Sequence, residues 1–152
     1  MTDWKADIEE ALKDFLTVAS LARASVSLQD LQIEYLEAPH KPPRNLPAGK
    51  MAVYGFWHGG EWLKIGMAGP NSNARYTSQH YNPNSAGSTL AASLVNDRSM
   101  SGWPDFNPNA PGDWIKSATN RVNILMDSKH HALLLALLEA FLHLRLRPRY
   151  EK

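Results

Sequence analysis

Apolar residues recur at every third or fourth position at the start of the chain. Trp4, Ile8, Ala11, Leu12, Phe15, Leu16 and Ala19 lie on one face of a predicted helix over residues 3 to 22, with Asp3 placed to cap it. The period then falls to two: Leu31-Gln32-Ile33-Glu34-Tyr35-Leu36 alternates and predicts a short strand at a sheet edge. Pro39, Pro42, Pro43 and Pro47 forbid regular structure beyond it. Two apolar, aromatic-rich runs between Ala52 and Met67 then flank Gly59-Gly60, the signature of a β-hairpin. After a small-residue loop, Ala74 to His80 begins a helix, and a polar run from Asn82 to Ser88 separates it from a second helix over Thr89 to Val95. Pro104 to Pro111 is a long loop of the kind that often carries function. Asp113 to Ala118 predicts a short helix and Arg121 to Met126 a third strand. From Ser128 as N-cap, the run Ala132 to Leu142 is apolar all round, which predicts a buried helix. It falls short of the roughly 18 residues a membrane span needs, so no membrane association is expected.

These elements predict one compact α/β domain: a small, mainly antiparallel sheet of about three strands flanked by helices. Residues 1–50 read as a helical extension packed on a core formed by residues 51–152. The chain has 152 residues and no cysteine, which removes disulfides and Cys-type metal sites. No cationic segment leads into an apolar one at the acidic N-terminus, so a cytoplasmic protein is expected. The net charge of +1 does not by itself point to nucleic acid. Its distribution is more informative, since residues 1–50 hold six Lys/Arg and eight Asp/Glu, whereas residues 51–152 hold ten and seven. Arg145, Arg147 and Arg149 end the chain in a basic tail, a candidate nucleic-acid contact.

Ala52-Val53-Tyr54, then Lys64-Ile65-Gly66, then Arg75 resemble the successive motifs of the GIY-YIG nuclease superfamily. The resemblance covers roughly the last hundred residues. Lys64 stands where most members carry a second tyrosine, as a lysine does in some restriction-endonuclease-like and phage-type members. The family also places a metal-binding glutamate on a later helix, and Glu139 is the only acidic residue inside the C-terminal apolar run. The resemblance therefore implies a GIY-YIG-like fold and a metal-dependent DNA endonuclease in restriction or phage defence, with Mg²⁺ or Mn²⁺ held by Glu139. RNA stays open as a substrate, and a homodimer would let such a protein cut both strands. The alternative is a catalytically silent module on the same scaffold that binds nucleic acid or a protein partner.

Phosphodiester hydrolysis needs an activated water, a cation for the developing charge and help for the leaving oxygen. By the resemblance Tyr54 is the general base or orients the water; otherwise it is an aromatic strand residue filling the core. Lys64 either lowers the cost of ionising Tyr54 or faces water as an ordinary strand lysine. Arg75 suits a phosphate, because a guanidinium offers paired donors and stays charged; its alternative is a solvated helix residue. Glu139 either binds the cation or forms an ion pair with Arg75 or Lys64. His80 lies about 140° from Arg75 on an ideal helix, so a shared face requires the helix to loosen before Pro83. Tyr76 and Tyr81 are weaker candidates, and His130, His131 and His143 lack metal-ligand spacing and read as surface or helix-end residues. For Tyr54 and Lys64 to share a face, a three-residue tip, His58-Gly59-Gly60, is expected. It would set Tyr54 opposite Lys64 and gather Val53, Leu63, Ile65 and Met67 on the core face.

Overall fold

A computed structural model describes residues 3–86 and 88–150. At its centre lies β4 (Asn120–Asp127), bonded on one side to β1 (Gln32–Leu36) and on the other to β2 (Lys50–His58). β3 (Glu61–Ala68) completes an antiparallel sheet of order β1-β4-β2-β3. The sheet thus has four strands rather than about three, because residues 32–36 pair with β4 from Gln32 opposite Leu125 to Leu36 opposite Arg121.

Helices cover both faces. On one side α1 (Trp4–Leu21), capped by Asp3 through the Lys5 and Ala6 amides, and α5 (Ala132–Leu146) bury Ile8, Leu12, Phe15, Leu138 and Leu142 against Val53, Ile65 and Ile124. On the other side lie α2 (Asn73–Thr77), α3 (Leu90–Asn96) and α4 (Pro111–Ala118). They bury Tyr76, Leu90, Leu94 and Trp114 against Ala52, Tyr54, Phe56 and Leu125.

The hairpin departs from the expected register. Gly59 and Gly60 both have positive φ (+59° and +89°), the backbone of a two-residue turn, so His58 faces Glu61 and Trp57 faces Trp62. The ladder then slips by one residue at Leu63, so that Phe56 faces Lys64 and Tyr54 faces Gly66. The bulge restores the parity that the tight turn had reversed, and Tyr54 and Lys64 share a face one pair apart. It also sends Leu63 into the core opposite Val53 and Ile65, while Met67 is 40% exposed. Two rows therefore cross the α2–α4 face: Glu34, Asn123, Tyr54 and Gly66, and beside it Leu36, Arg121, Phe56 and Lys64.

The C-terminal helix is amphipathic in place rather than buried all round. Leu134, Leu135, Leu138 and Leu142 are inside, but Leu133 is 71% and Leu144 66% exposed. Its N-cap is His131, whose Nδ1 accepts from the Leu133 amide, and not Ser128. Ser128 is held instead in a turn after β4, where its amide donates to the Gly49 carbonyl and the Asp127 carboxylate accepts from the Lys129 amide.

Candidate active site

Tyr54 lies across Gly66, and the absence of a side chain there is what makes room for it. A Cβ on Gly66 would come within 2.9 Å of the Tyr54 hydroxyl and 3.0 Å of its ring. The second half of the site comes from a broken helix. α2 stops at Thr77, and a 3₁₀ turn, Gln79–Tyr81, follows. That break swings His80 inward, where an unbroken helix would carry it away from the face of Arg75. The His80 Nε2 lies 2.7 Å from the Tyr54 hydroxyl, and its Nδ1 accepts from the Leu90 amide at 3.1 Å. With Nδ1 an acceptor, the neutral ring carries its proton on Nε2 and donates to the Tyr54 oxygen.

Arg75 also hydrogen-bonds the Tyr54 hydroxyl. Its guanidinium donates to the Ser88 carbonyl at 3.3 Å, while Lys64 Nζ donates to the Ser88 hydroxyl at 3.4 Å. Ser88 has φ +58°, an uncommon backbone for a residue other than glycine, and it covers a lysine that is only 2% exposed. Glu139 is half-buried on α5, one turn before His143, whose Nε2–H donates to the Ile65 carbonyl at 2.9 Å. That bond fixes α5 against β3, and from there the Glu139 carboxylate acts electrostatically on Tyr54. Tyr54, Lys64, Arg75 and His80 are thus brought together from β2, β3, α2 and the 3₁₀ turn, with Glu139 on α5 near enough to act on Tyr54 through its charge.

Burial pushes the Tyr54 phenol up to about 12, with Arg75 and Arg121 pulling it back and Glu139 adding to the rise. Burial likewise pushes His80 down to about 2, assisted by the charges of Arg75, Arg121 and Lys64. At neutral pH the pair is a phenol beside a neutral imidazole, so Tyr54 becomes a base only when additional positive charge reaches its oxygen. Among the described residues no group of three or more His, Asp or Glu is arranged to hold a metal ion. Glu139 would offer one protein carboxylate, which fits a hard dication that keeps most of its waters better than a caged one.

The basic tail runs along β3. The Arg149 and Tyr150 amides donate to the Trp62 and Leu63 carbonyls along the outer edge of β3. Arg145 pairs with Asp14 at 2.7 Å, and Arg149 with Glu61 and Asp97 at 3.0 Å each. Arg147 adopts a left-handed cap, and its Nε donates to the Leu144 carbonyl.

Sequence reasoning missed Arg121, which is 0% exposed beneath the site, and its companions Asn123 and His40. On β4 Arg121 and Asn123 alternate with Val122 and Ile124, a pattern that in isolation describes a solvent face. Only the second helical layer turns that face into an interior. Tyr81 belongs to the same group: its hydroxyl lies 2.7 Å from His40 Nε2 and accepts from Arg121 at 3.2 Å.

The chain matches no protein-family model, no curated protein and no solved structure. Among the described residues no helix is long and apolar enough to cross a membrane.

Proposed function

We propose that this protein is a metal-dependent endonuclease of the GIY-YIG type that hydrolyses DNA phosphodiester bonds, in keeping with a role in restriction or defence. One observation carries the reading: a buried tyrosine whose oxygen receives hydrogen bonds from His80 and Arg75 sits beside Lys64 and within the field of Glu139. In this reading Arg75 and Lys64 donate to the non-bridging oxygens of the phosphate, taking up the positions that the Ser88 carbonyl and hydroxyl hold now. The segment carrying Ser88 therefore moves aside on binding. Glu139 would hold Mg²⁺ or Mn²⁺, which when bound supplies positive charge to the phosphate and the leaving oxygen. Tyr54 orients the attacking water: its own proton passes to bulk solvent when the charged phosphate site assembles, the phenolate is held by His80 and Arg75, it then takes a proton from the attacking water, and solvent returns a proton to the leaving oxygen. Water adds to phosphorus as the bond to the leaving oxygen breaks, and the products are one hydroxyl end and one phosphate end.

The second reading, a silent module that binds nucleic acid or a partner, draws on the covered Lys64 and on a phenol held near 12. Supercoiled plasmid with and without Mg²⁺ separates the two, with Glu139→Gln as the decisive variant. Nicking is expected to depend on the metal and to fall by about 10²–10³-fold in Glu139→Gln, the scale of losing one electrostatic stabiliser, at an unchanged melting temperature. A folded Glu139→Gln protein that nicks at the wild-type rate refutes the metal assignment. A variant that instead melts earlier and keeps its cleavage makes Glu139 an ion-pair residue.

A further inference from the structure

Arg121, a cationic guanidinium, is the largest fully buried side chain of the described residues and lies on the central strand. A charge taken out of water costs several kcal/mol unless its donors are satisfied. Here Nε donates to the Asn123 amide oxygen at 2.8 Å, one Nη to the Tyr76 carbonyl at 2.7 Å and the other to the Tyr81 hydroxyl at 3.2 Å. Four aromatic rings complete the shell: Tyr54 at 4.9 Å from the guanidinium carbon, Phe56 and Tyr76 at 5.1 Å, and Tyr81 at 6.0 Å. Among the described residues no carboxylate forms an ion pair with it. The charge is thus solvated by dipoles and ring faces and not cancelled, so its field persists at the neighbouring groups.

The direction of each hydrogen bond behind it is set. His40 Nδ1 lies 2.8 Å from the Thr119 carbonyl and so carries the ring proton, which leaves Nε2 to accept from the Tyr81 hydroxyl. The Tyr81 proton points at His40, and its oxygen is left facing Arg121. The guanidinium is clamped in the row next to Tyr54, under the ring face, whereas Arg75 acts at the hydroxyl end.

We propose that Arg121 is a positioning residue, a permanent buried cation that seats the Tyr54 ring and stabilises its phenolate. Its part in catalysis rests on the nuclease reading, but its coupling to Tyr54 does not. The same field also disfavours a proton on His80, so a single charge biases both members of the pair toward the forms in which the tyrosine oxygen receives a hydrogen bond. A methionine would fill similar space at less electrostatic cost, and so the role lies in the charge rather than in packing.

The test reads Tyr54 directly. The tyrosines are replaced by 3,5-difluorotyrosine, a stronger acid that brings ionisation into an accessible range. Each ¹⁹F resonance is followed against pH, with Tyr54 assigned through Tyr54→Phe. In Arg121→Met the Tyr54 midpoint is expected to rise by at least one pH unit, while Tyr35, on the α1 side of the sheet, stays in place. Arg121→Met combined with Asn123→Leu removes the charge together with the acceptor it would orphan, and it supplies a folded protein if the single variant does not. A Tyr54 midpoint unchanged in either folded variant overturns the proposal. Plasmid nicking on the same proteins keeps the two readings apart: a shifted midpoint without any wild-type nicking sinks the nuclease and leaves Arg121 coupled to Tyr54. Wild-type nicking with an unshifted midpoint sinks only the role of Arg121.

Discussion

The two faces of the sheet are built on different physical terms. Against α1 and α5 the interior is mainly apolar: Ile8, Leu12, Phe15, Val53, Ile124 and Leu138 need only shape and dryness. Against α2, α3 and α4, the same strands bury Tyr54, Lys64, Arg121 and Asn123 with His80, and each polar atom there depends on a partner of set direction. The first face is tolerant of exchange among similar apolar side chains and its stabilisation is proportional to area. The second is costly to bury and stays folded only while its bonds are complete.

The largest effect expected from breaking this contrast comes from the apolar side. Phe15 is 0% exposed and packs on Phe141, with ring centroids 5.9 Å apart. Phe15→Ala should destabilise by about 3–5 kcal/mol, measured by denaturant unfolding, with nicking per folded molecule unchanged. A large fall in that specific activity would mean that the two faces are coupled.

The polar face should reveal itself in acid. The His80 pKa is lowered in the folded state from 6.5 to about 2, so between those values the unfolded chain binds the extra proton. Burial then carries no titration penalty above pH 6.5, and stability falls as the pH drops below it, by roughly 2 kcal/mol at pH 5. His40 is shifted in the same direction, so the comparison is between wild type and His80→Gln, with the wild type losing more between pH 7 and pH 5. Parallel curves would show that His80 is not held neutral.

Gly66→Ala acts on the seat of Tyr54. The added methyl meets the phenol at 2.9–3.0 Å, and overpacking of that order costs about 1–3 kcal/mol, offset in part by lower entropy of the unfolded chain. A net loss near 1 kcal/mol is expected, together with a fall in nicking of tenfold or more because Tyr54 is pushed away from His80. Full activity in this variant would remove Tyr54 from the reaction.

The smallest effect concerns the tail. Arg145 and Arg149 already serve Asp14, Glu61 and Asp97, exposed pairs worth little to stability. Changing Arg145, Arg147 and Arg149 together to Gln should flatten the dependence of log K for DNA on log salt by only about 0.9, the equivalent of one phosphate contact. An unchanged slope places the DNA against Arg75 and Lys64 alone, and a drop three times larger restores the whole tail to the interface.

The local code of the chain was legible to different depths in different elements. The 3.6-residue period over residues 3 to 22 predicts α1 almost to its ends, and Thr89 and the run after it predict α3. These elements depend on neighbours three and four positions away, which a sequence displays directly. The hairpin was legible as a hairpin but not in its register, because a single bulged residue at Leu63 exchanges the faces and periodicity does not mark where a ladder slips. The helix after β4 was placed about a turn too early at its start, since the chain first turns at Asp127 and the cap is His131 rather than Ser128.

The amino-acid sequence by itself determined most of the elements, the absence of thiol chemistry and the set of polar residues open to a site, among them Tyr54, Lys64, Arg75, His80 and Glu139. It could not determine that β4 would lie between β1 and β2, a pairing that joins residues some ninety positions apart at Gln32 and Leu125. Only that pairing, with helices closing over both faces, made Arg121 an interior cation and Lys64 a covered one. The reason is physical: helical and strand periods record which side of an element is apolar, but whether a polar side is dry depends on what the rest of the chain brings to it.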